Sequence, residues 1–271
     1  MIPQERKYFI IIVHYGQEQP TKSLINSLIK QINNRSTIIV VDHAKSPLGN
    51  SWEENVIVVR PHTNNGYAGG LTTGLGVALS KGALGGDVMV CMNNDLSVGQ
   101  DFIKNMQTWV EHHPKATIAG PVVGYLNLLT GRARLSSASE KVGIFEQKFI
   151  HGACMVITLQ AVLDSGAFPE EYFMYWEDVL IANHIKRRGG VIRRIPLKSF
   201  KHEEREPSNA SLYYLVRNGV VYLETETPLF WPAYWMVANR VRYIWHAHVS
   251  KKLHIAKAIR DGINRKQGPN I

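Results

Sequence analysis

Four short apolar runs free of charge decide what this chain of 271 residues can become: Phe9 to Val13, Thr37 to Val41, Val56 to Val59 and Val88 to Met92. A strand with one wet face alternates apolar and polar side chains, whereas an unbroken β-rich run must be covered on both faces. Between the runs the spacing turns helical, most clearly in Lys22 to Ile32, where Leu24, Ile25, Leu28, Ile29 and Ile32 share a face. The alternation predicts an α/β fold built on a mainly parallel, Rossmann-like sheet flanked by helices. A hydrophobic share of 45% is enough for one large domain or two intimate halves.

Open sheets of this kind bind ligands beyond the carboxyl ends of their strands. The residues there are His14-Tyr15, Asp42, Asn64-Asn65-Gly66 and Asn93-Asn94-Asp95. A second half begins after Pro121. It reads as a hairpin or mobile loop from Gly124 to Ser139, a strand over Phe149 to Ile157, a helix from Glu177 to Arg188 and a strand over Val191 to Ile195. No internal repeat or low-complexity segment is present.

A formal charge of +9 calls for an anionic partner: a nucleotide diphosphate, an acidic membrane face or nucleic acid. Gly74-Leu75-Gly76 does not complete a dinucleotide fingerprint and no Gly-Lys-Ser/Thr follows, which argues against Rossmann cofactors and P-loop chemistry. Cys91 and Cys154, the only cysteines, lie in apolar runs and read as buried thiols, so neither a disulfide framework nor a zinc site is expected. His112-His113 and His246-Ala247-His248 read as ordinary surface or core histidines. Met1 to Lys7 lacks the apolar core of a signal peptide, and we expect a cytoplasmic protein.

The ordered set Val40-Val41-Asp42, Asn64 to Gly70, Asn93-Asn94-Asp95, His151-Gly152-Ala153-Cys154, Phe173 to Asp178, His202 and Arg217-Asn218 resembles the family 2 glycosyltransferases, in their bacterial rhamnosyltransferase-like branch. The likeness runs from about Phe9 to Leu223. It implies a GT-A type fold: a catalytic domain over 1–225, with a nucleotide-sugar-binding half to about 121 and an acceptor-binding half over 122–225, then a C-terminal helical extension over 226–271. It also implies an inverting, metal-dependent enzyme using Mn²⁺ or Mg²⁺, with a nucleotide-diphosphate sugar as donor. dTDP-rhamnose is favoured and a UDP-sugar comes next. The acceptor is a glycan or lipid-linked glycan in bacterial surface polysaccharide synthesis, and nucleic acid is not expected as a partner.

Residue by residue, the resemblance makes Asp178 the general base and places Asp95 and His202 at the metal. Asn93-Asn94-Asp95 stands where the family has Asp-X-Asp, so Asp95 is the one certain anionic ligand. Donor binding falls to His14, Tyr15, Asp42, Asn65, Gly66, Gly70, Asn93, Asn94 and Arg217, and acceptor binding to His151, Trp176 and Glu177. Plainer roles stand beside these. Asp42 suits a turn at a strand end, Asn93-Asn94-Asp95 a polar turn, Glu177 and Asp178 the positive end of a helix, and Arg217 an ion pair. Phe173, Tyr175 and Trp176 suit either a floor under a sugar ring or a core.

Two alternatives to sugar transfer differ in class. A sugar nucleotidyltransferase needs a Gly-rich basic signature near the N-terminus, which His14 to Thr21 lacks. A basic protein binding nucleic acid or membrane needs clustered Lys/Arg among aromatics, which only the C-terminal stretch offers. There Trp231, Tyr234, Trp235, Ala238, Val241, Trp245 and Val249 recur at helical spacing beside Arg240, Arg242, Lys251, Lys252 and Lys257. We expect 229–252 either to lie peripherally on the inner face of the plasma membrane or to pack on the catalytic domain or a second copy in a homodimer.

Overall fold

The computed structural model describes residues 5–49, 52, 54–138, 140–197, 200–202 and 208–270. Met1 to Gln4, Ser139, Lys198 and Ser199, touched by the readings above, lie outside the described residues. The first half runs β1 (Tyr8–His14), α1 (Glu18–Ile29), β2 (Ser36–Asp42), β3 (Val56–Val59), α2 (Gly66–Ser80), β4 (Val88–Asn93), β5 (Leu96–Val98), α3 (Phe102–His112) and β6 (Ile118–Gly120). The chain continues through β7 (Val123–Asn127), β8 (Ala133–Ser136), β9 (Glu146–Ile150), β10 (Cys154–Thr158), α4 (Leu159–Asp164) and α5 (Glu177–Arg187). Then follow β11 (Ile192–Arg194), β12 (Phe200–His202), α6 (Asn209–Thr225), α7 (Trp231–Ile244) and α8 (Leu253–Ile263).

Seven strands form the central sheet in the order β11-β6-β10-β4-β1-β2-β3. All neighbours pair in parallel except β10, which is antiparallel to both β4 and β6. The unbroken apolar runs are thereby explained. In β1, Tyr8, Ile10 and Ile12 face a layer containing Leu24, Ile25 and Leu28 of α1 and Met106 of α3, while Phe9, Ile11 and Val13 face Ala68, Leu71 and Leu75 of α2. Both faces of this strand are dry. Cys91 and Cys154 are free, buried thiols, as expected.

Helix α2 comes unusually close to β1 because its inward positions are glycines. A Cβ on Gly70 would stand 2.7 Å from the Val13 side chain, and one on Gly74 would stand 2.3 Å from that of Ile11. No neighbour yields easily there, since Ile11 is fully buried in the sheet's centre.

The second half is sewn into the same sheet, with β10 and β11 on either side of β6. Gly124 to Ser136 forms the expected hairpin, β7–β8, and β9 adds a third antiparallel strand. The single strand expected over Phe149 to Ile157 is instead two. β9 ends at Ile150 in the small sheet and β10 begins at Cys154 in the large one, and a turn at His151-Gly152-Ala153 carries the chain across. A continuous apolar pattern cannot show a change of sheet, because both pieces are buried.

The C-terminal helices are packed on the domain. Tyr213 of α6 donates its hydroxyl to Asp261 of α8 at 2.7 Å, and Gly262 lets α8 approach the α6 backbone so closely that a Cβ there would lie 2.7 Å from the Arg217 carbonyl oxygen.

Gly74→Val forces two methyl groups into the α2–β1 contact. It should destabilise the protein by about 1–3 kcal/mol in urea unfolding. An unchanged midpoint would mean that the contact is looser than described.

Candidate active site

The parallel register sets His14 of β1 opposite Asp42 of β2, and Val13 opposite Asn93 of β4, so three carboxyl ends form one rim. At this rim Asp42 accepts backbone N–H donations from Ala44 and Leu48, both at 2.9 Å, and one from the Arg60 guanidinium at 2.8 Å. The turn role is thus realised, and one carboxylate lone-pair site is left for a further donor. Arg60 itself was not legible as a partner, since nothing in an Arg at that distance in sequence marks it.

His14 is buried and hydrogen-bonded within the protein. Asn94 Nδ2 donates to Thr21 Oγ1 at 3.0 Å, and the Thr21 hydroxyl shares a hydrogen bond with His14 Nδ1 at 2.7 Å. Burial depresses the imidazole pKa and outweighs the pull of Asp42, whose carboxylate lies 4.0 Å from Nε2. Asn94 also donates to the Tyr15 carbonyl at 3.3 Å and so ties β4 to the end of β1. Tyr15 is 63% exposed at the rim, and Asn65 is exposed at the start of α2. Gly66 and Gly70 pack closely against protein atoms. A Cβ on Gly66, where φ is +74°, would fall 2.0 Å from the Phe173 carbonyl oxygen.

Beyond β4 the chain turns into β5, which pairs antiparallel with β12 so that His202 stands opposite Leu96. The pairing brings His202 Nε2 to 3.6 Å from Asp95 Oδ1 and to 3.4 Å from Asn93 Nδ2. One carboxylate and one imidazole therefore converge, although 107 positions separate them in the sequence numbering. Among the described residues no cluster of three His, Cys, Asp or Glu side chains could hold a metal, so this pair fits a cation that takes its remaining ligands from a diphosphate and water.

The turn His151-Gly152-Ala153 joins this pair to the second carboxylate. The His151 ring lies 5.6 Å from the His202 ring, and the Ala153 carbonyl accepts from the Asn93 N–H at 2.9 Å. On its other side the Gly152 N–H donates to Asp178 Oδ2 at 2.8 Å, while the Gly152 carbonyl accepts from the Tyr67 hydroxyl at 2.9 Å. A side chain at 152 would crowd both acids, its Cβ only 3.2 Å from Glu177 Oε1 and 3.3 Å from Asp178 Oδ2. Asp95 and Asp178 thus flank a single turn.

Glu177 and Asp178 occupy the first turn of α5, and both are buried. Burial raises both pKa values. The neighbouring Asp178 charge raises Glu177 further, whereas backbone donations from Gly152 and Val179 pull Asp178 partly back. Burial thus favours the protonated form of both acids, and the backbone donations favour the ionised form of Asp178. Glu177 Oε2 has no hydrogen-bond partner among the described residues.

The approach to α5 is strained. Phe173, Tyr175 and Trp176 all have positive φ, between +64° and +74°, each worth about 1–3 kcal/mol for a residue with a side chain. Asn218 holds them there, its Nδ2 directed at the carbonyls of Tyr172, Met174 and Tyr175 at 2.8, 2.7 and 3.1 Å. Arg217 braces the same turn. It is fully buried, and its guanidinium donates to the carbonyls of Tyr172 and Gly268 at 2.9 and 2.6 Å and to Asn218 Oδ1 at 2.8 Å. Trp176 is likewise turned toward α6, donating to the Leu215 carbonyl at 2.9 Å with its ring 5.3 Å from that of Tyr222. Phe173 stacks on Tyr214 at 4.9 Å, which realises the core reading of these aromatics. Asn218 carried no role in the sequence reading, and its adjacency to Arg217 was the only signal.

Residues 9–160, just over half the chain, match the family model described as Glycosyl transferase family 2. The low-salt glycan biosynthesis hexosyltransferase Agl10 of Haloferax volcanii is 21% identical over 193 residues, a match covering 66% of this chain and 61% of that protein, so less than two thirds of the relative is spanned. The mannosyltransferase PcManGT from Pyrobaculum calidifontis, solved with GDP-Man and Mn²⁺, is 15% identical with a TM-score of 0.57 over 97% of this chain and 85% of its own. S. aureus TarS 1-349, solved with UDP-GlcNAc, is 15% identical with a TM-score of 0.53 over 96% of this chain and 81% of its own. These structural likenesses are likenesses of fold, and the architecture is of the GT-A type.

Because folding raises the pKa values of the acid pair, the native state holds their protons more tightly than the unfolded chain does. Their stabilising contribution is present below the ordinary carboxylate range, near about pH 4, and is lost as pH rises through the raised values. Glu177→Gln should flatten this decline and be the more stable protein at alkaline pH in urea titrations. Parallel curves for variant and wild type would show that Glu177 ionises as an exposed acid does.

Proposed function

The chain belongs to glycosyl transferase family 2, and from that premise we propose that it moves a sugar from a nucleotide diphosphate to a hydroxyl of a glycan or lipid-linked glycan, with inversion. The observation that carries this reading is the placement of Asp178 and the Asp95–His202 pair on opposite sides of the turn at Gly152. Asp178 accepts the acceptor's hydroxyl proton while that oxygen bonds to the anomeric carbon and the bond from the anomeric carbon to the diphosphate breaks. A base on one side and a leaving group on the other make this a single displacement, which inverts the centre. Glu177, beside it in the first turn of α5, is left to contact the acceptor.

Asp95 and His202 would hold a divalent cation, which supplies positive charge to the departing diphosphate. An imidazole ligand favours Mn²⁺ over Mg²⁺. At the rim, exposed Tyr15 offers a stacking face for the base, and the remaining acceptor site of Asp42 suits the N3–H of uracil or thymine. Asn65 and Asn93 complete the donor side, and His151 lies where donor and acceptor meet. The family branch favours dTDP-rhamnose, with UDP-sugars next.

Asp178→Asn should lower turnover by at least about a thousandfold, the upper part of the range for general-base loss, while donor affinity stays within about twofold. Weakened donor affinity with normal turnover would move the base elsewhere. In a thermal-shift panel of dTDP-, UDP- and GDP-sugars, Mn²⁺ should increase the stabilisation by the true donor. Asp95→Ala should abolish that increment. An increment that survives in Asp95→Ala removes this residue from the cation site.

A further inference from the structure

Helix α7 carries two stripes. Trp231, Trp235 and Asn239 are buried against the domain, while Phe230, Tyr234, Val237, Val241 and Ile244 follow at helical spacing on the opposite side and are exposed. Val237 and Val241 are 66% and 61% exposed. The apolar row extends beyond the helix. Phe145, on the loop before β9, meets the edge of the buried Trp231 ring at 5.8 Å, that ring lies 4.8 Å from the ring of exposed Phe230, and Ile144 beside Phe145 is 95% exposed. Trp245, Val249 and Leu253 prolong it past the far end of α7. Scattered apolar side chains are ordinary on a protein surface, but a continuous row drawn from two separate segments marks something that covers it.

Charge selects the occupant. From Thr227 to Arg260 the chain has no Asp or Glu, yet it carries Arg240, Arg242, Lys251, Lys252, Lys257 and Arg260. Arg240 pairs with Glu224, and Lys257 and Arg260 with Asp261, which leaves exposed Lys251 and Lys252 as the positive end of the row. A second copy paired by two-fold symmetry would bring this same positive charge rather than an acid to the face. An anionic lipid surface matches both properties, taking aromatic and aliphatic side chains at the boundary of its acyl chains and basic ones among its headgroups. No helix among the described residues is long and apolar enough to cross a membrane, so the contact is with one leaflet.

We propose that the outer face of α7, together with Ile144, Phe145 and the basic stretch at Lys251 and Lys252, seats this protein on an anionic lipid bilayer. The inference stands apart from the sugar-transfer reading, because vesicle binding needs neither donor nor acceptor. The test is co-sedimentation of the full chain with vesicles of phosphatidylcholine alone or mixed with phosphatidylglycerol. Wild type should pellet with the mixed vesicles, bind pure phosphatidylcholine much more weakly, and be released by salt. Val237→Glu/Val241→Glu should lower the bound fraction at least about tenfold, the effect expected from removing two apolar anchors, with an unchanged unfolding midpoint and donor hydrolysis rate. Failure of wild type to pellet, or equal pelleting of wild type and variant, would overturn the proposal. So would a wild-type dimer in analytical ultracentrifugation that Val237→Glu/Val241→Glu dissociates without any vesicle binding, since the face would then join two copies of the chain.

Discussion

One backbone N–H, that of Gly152, organises the candidate site. It donates to a buried carboxylate and so favours the ionised form that burial disfavours. The same turn is fixed from three further directions, by the Asn93 N–H on the Ala153 carbonyl, the Tyr67 hydroxyl on the Gly152 carbonyl, and the His151 N–H donating to the Val122 carbonyl at 3.1 Å. The central sheet, helix α2 and the small sheet therefore meet at this turn. The lack of a side chain at 152 is what allows two acids to lie against it.

A second constraint acts on the chain just ahead of those acids. Three residues with side chains are held in left-handed backbone geometry, an arrangement that persists only where the surroundings over-determine it. Asn218 and Arg217 do so by donating to the carbonyls of Tyr172, Met174 and Tyr175, and Gly66 does so by leaving room for the Phe173 carbonyl. Buried polar groups that would be costly alone thus satisfy one another.

Much of this was readable from the residue order. The four apolar runs announced a doubly covered sheet, and the rule of strand carboxyl ends picked out Asp42, Asn93, Asn94 and Asp95, all of which lie at the rim. The convergence of Asp95 with His202 followed from the family resemblance and could not have come from spacing, since it depends on β12 pairing with β5. Three residues have protein partners that spacing does not show. His14, Arg217 and Trp176 are polar or amphipathic residues of the right type in the right order, but a sequence does not reveal that a neighbouring carbonyl or hydroxyl has already taken their hydrogen bonds. The division of Phe149 to Ile157 was hidden because both strands are buried on both sides.

Arg217 reaches the carbonyl of Gly268, whose own N–H donates back to the Glu171 carbonyl at 2.9 Å. The loop that presents the acid pair is thereby locked by a stretch lying nearly a hundred residues further along the chain, from Glu171 to Gly268. During synthesis the rim of β1, β2 and β4 can assemble early, but the loop ahead of Glu177 and Asp178 stays unlatched until the ribosome has released the backbone at least as far as Gly268. Nascent chains should therefore form the rim before they fix the acid pair.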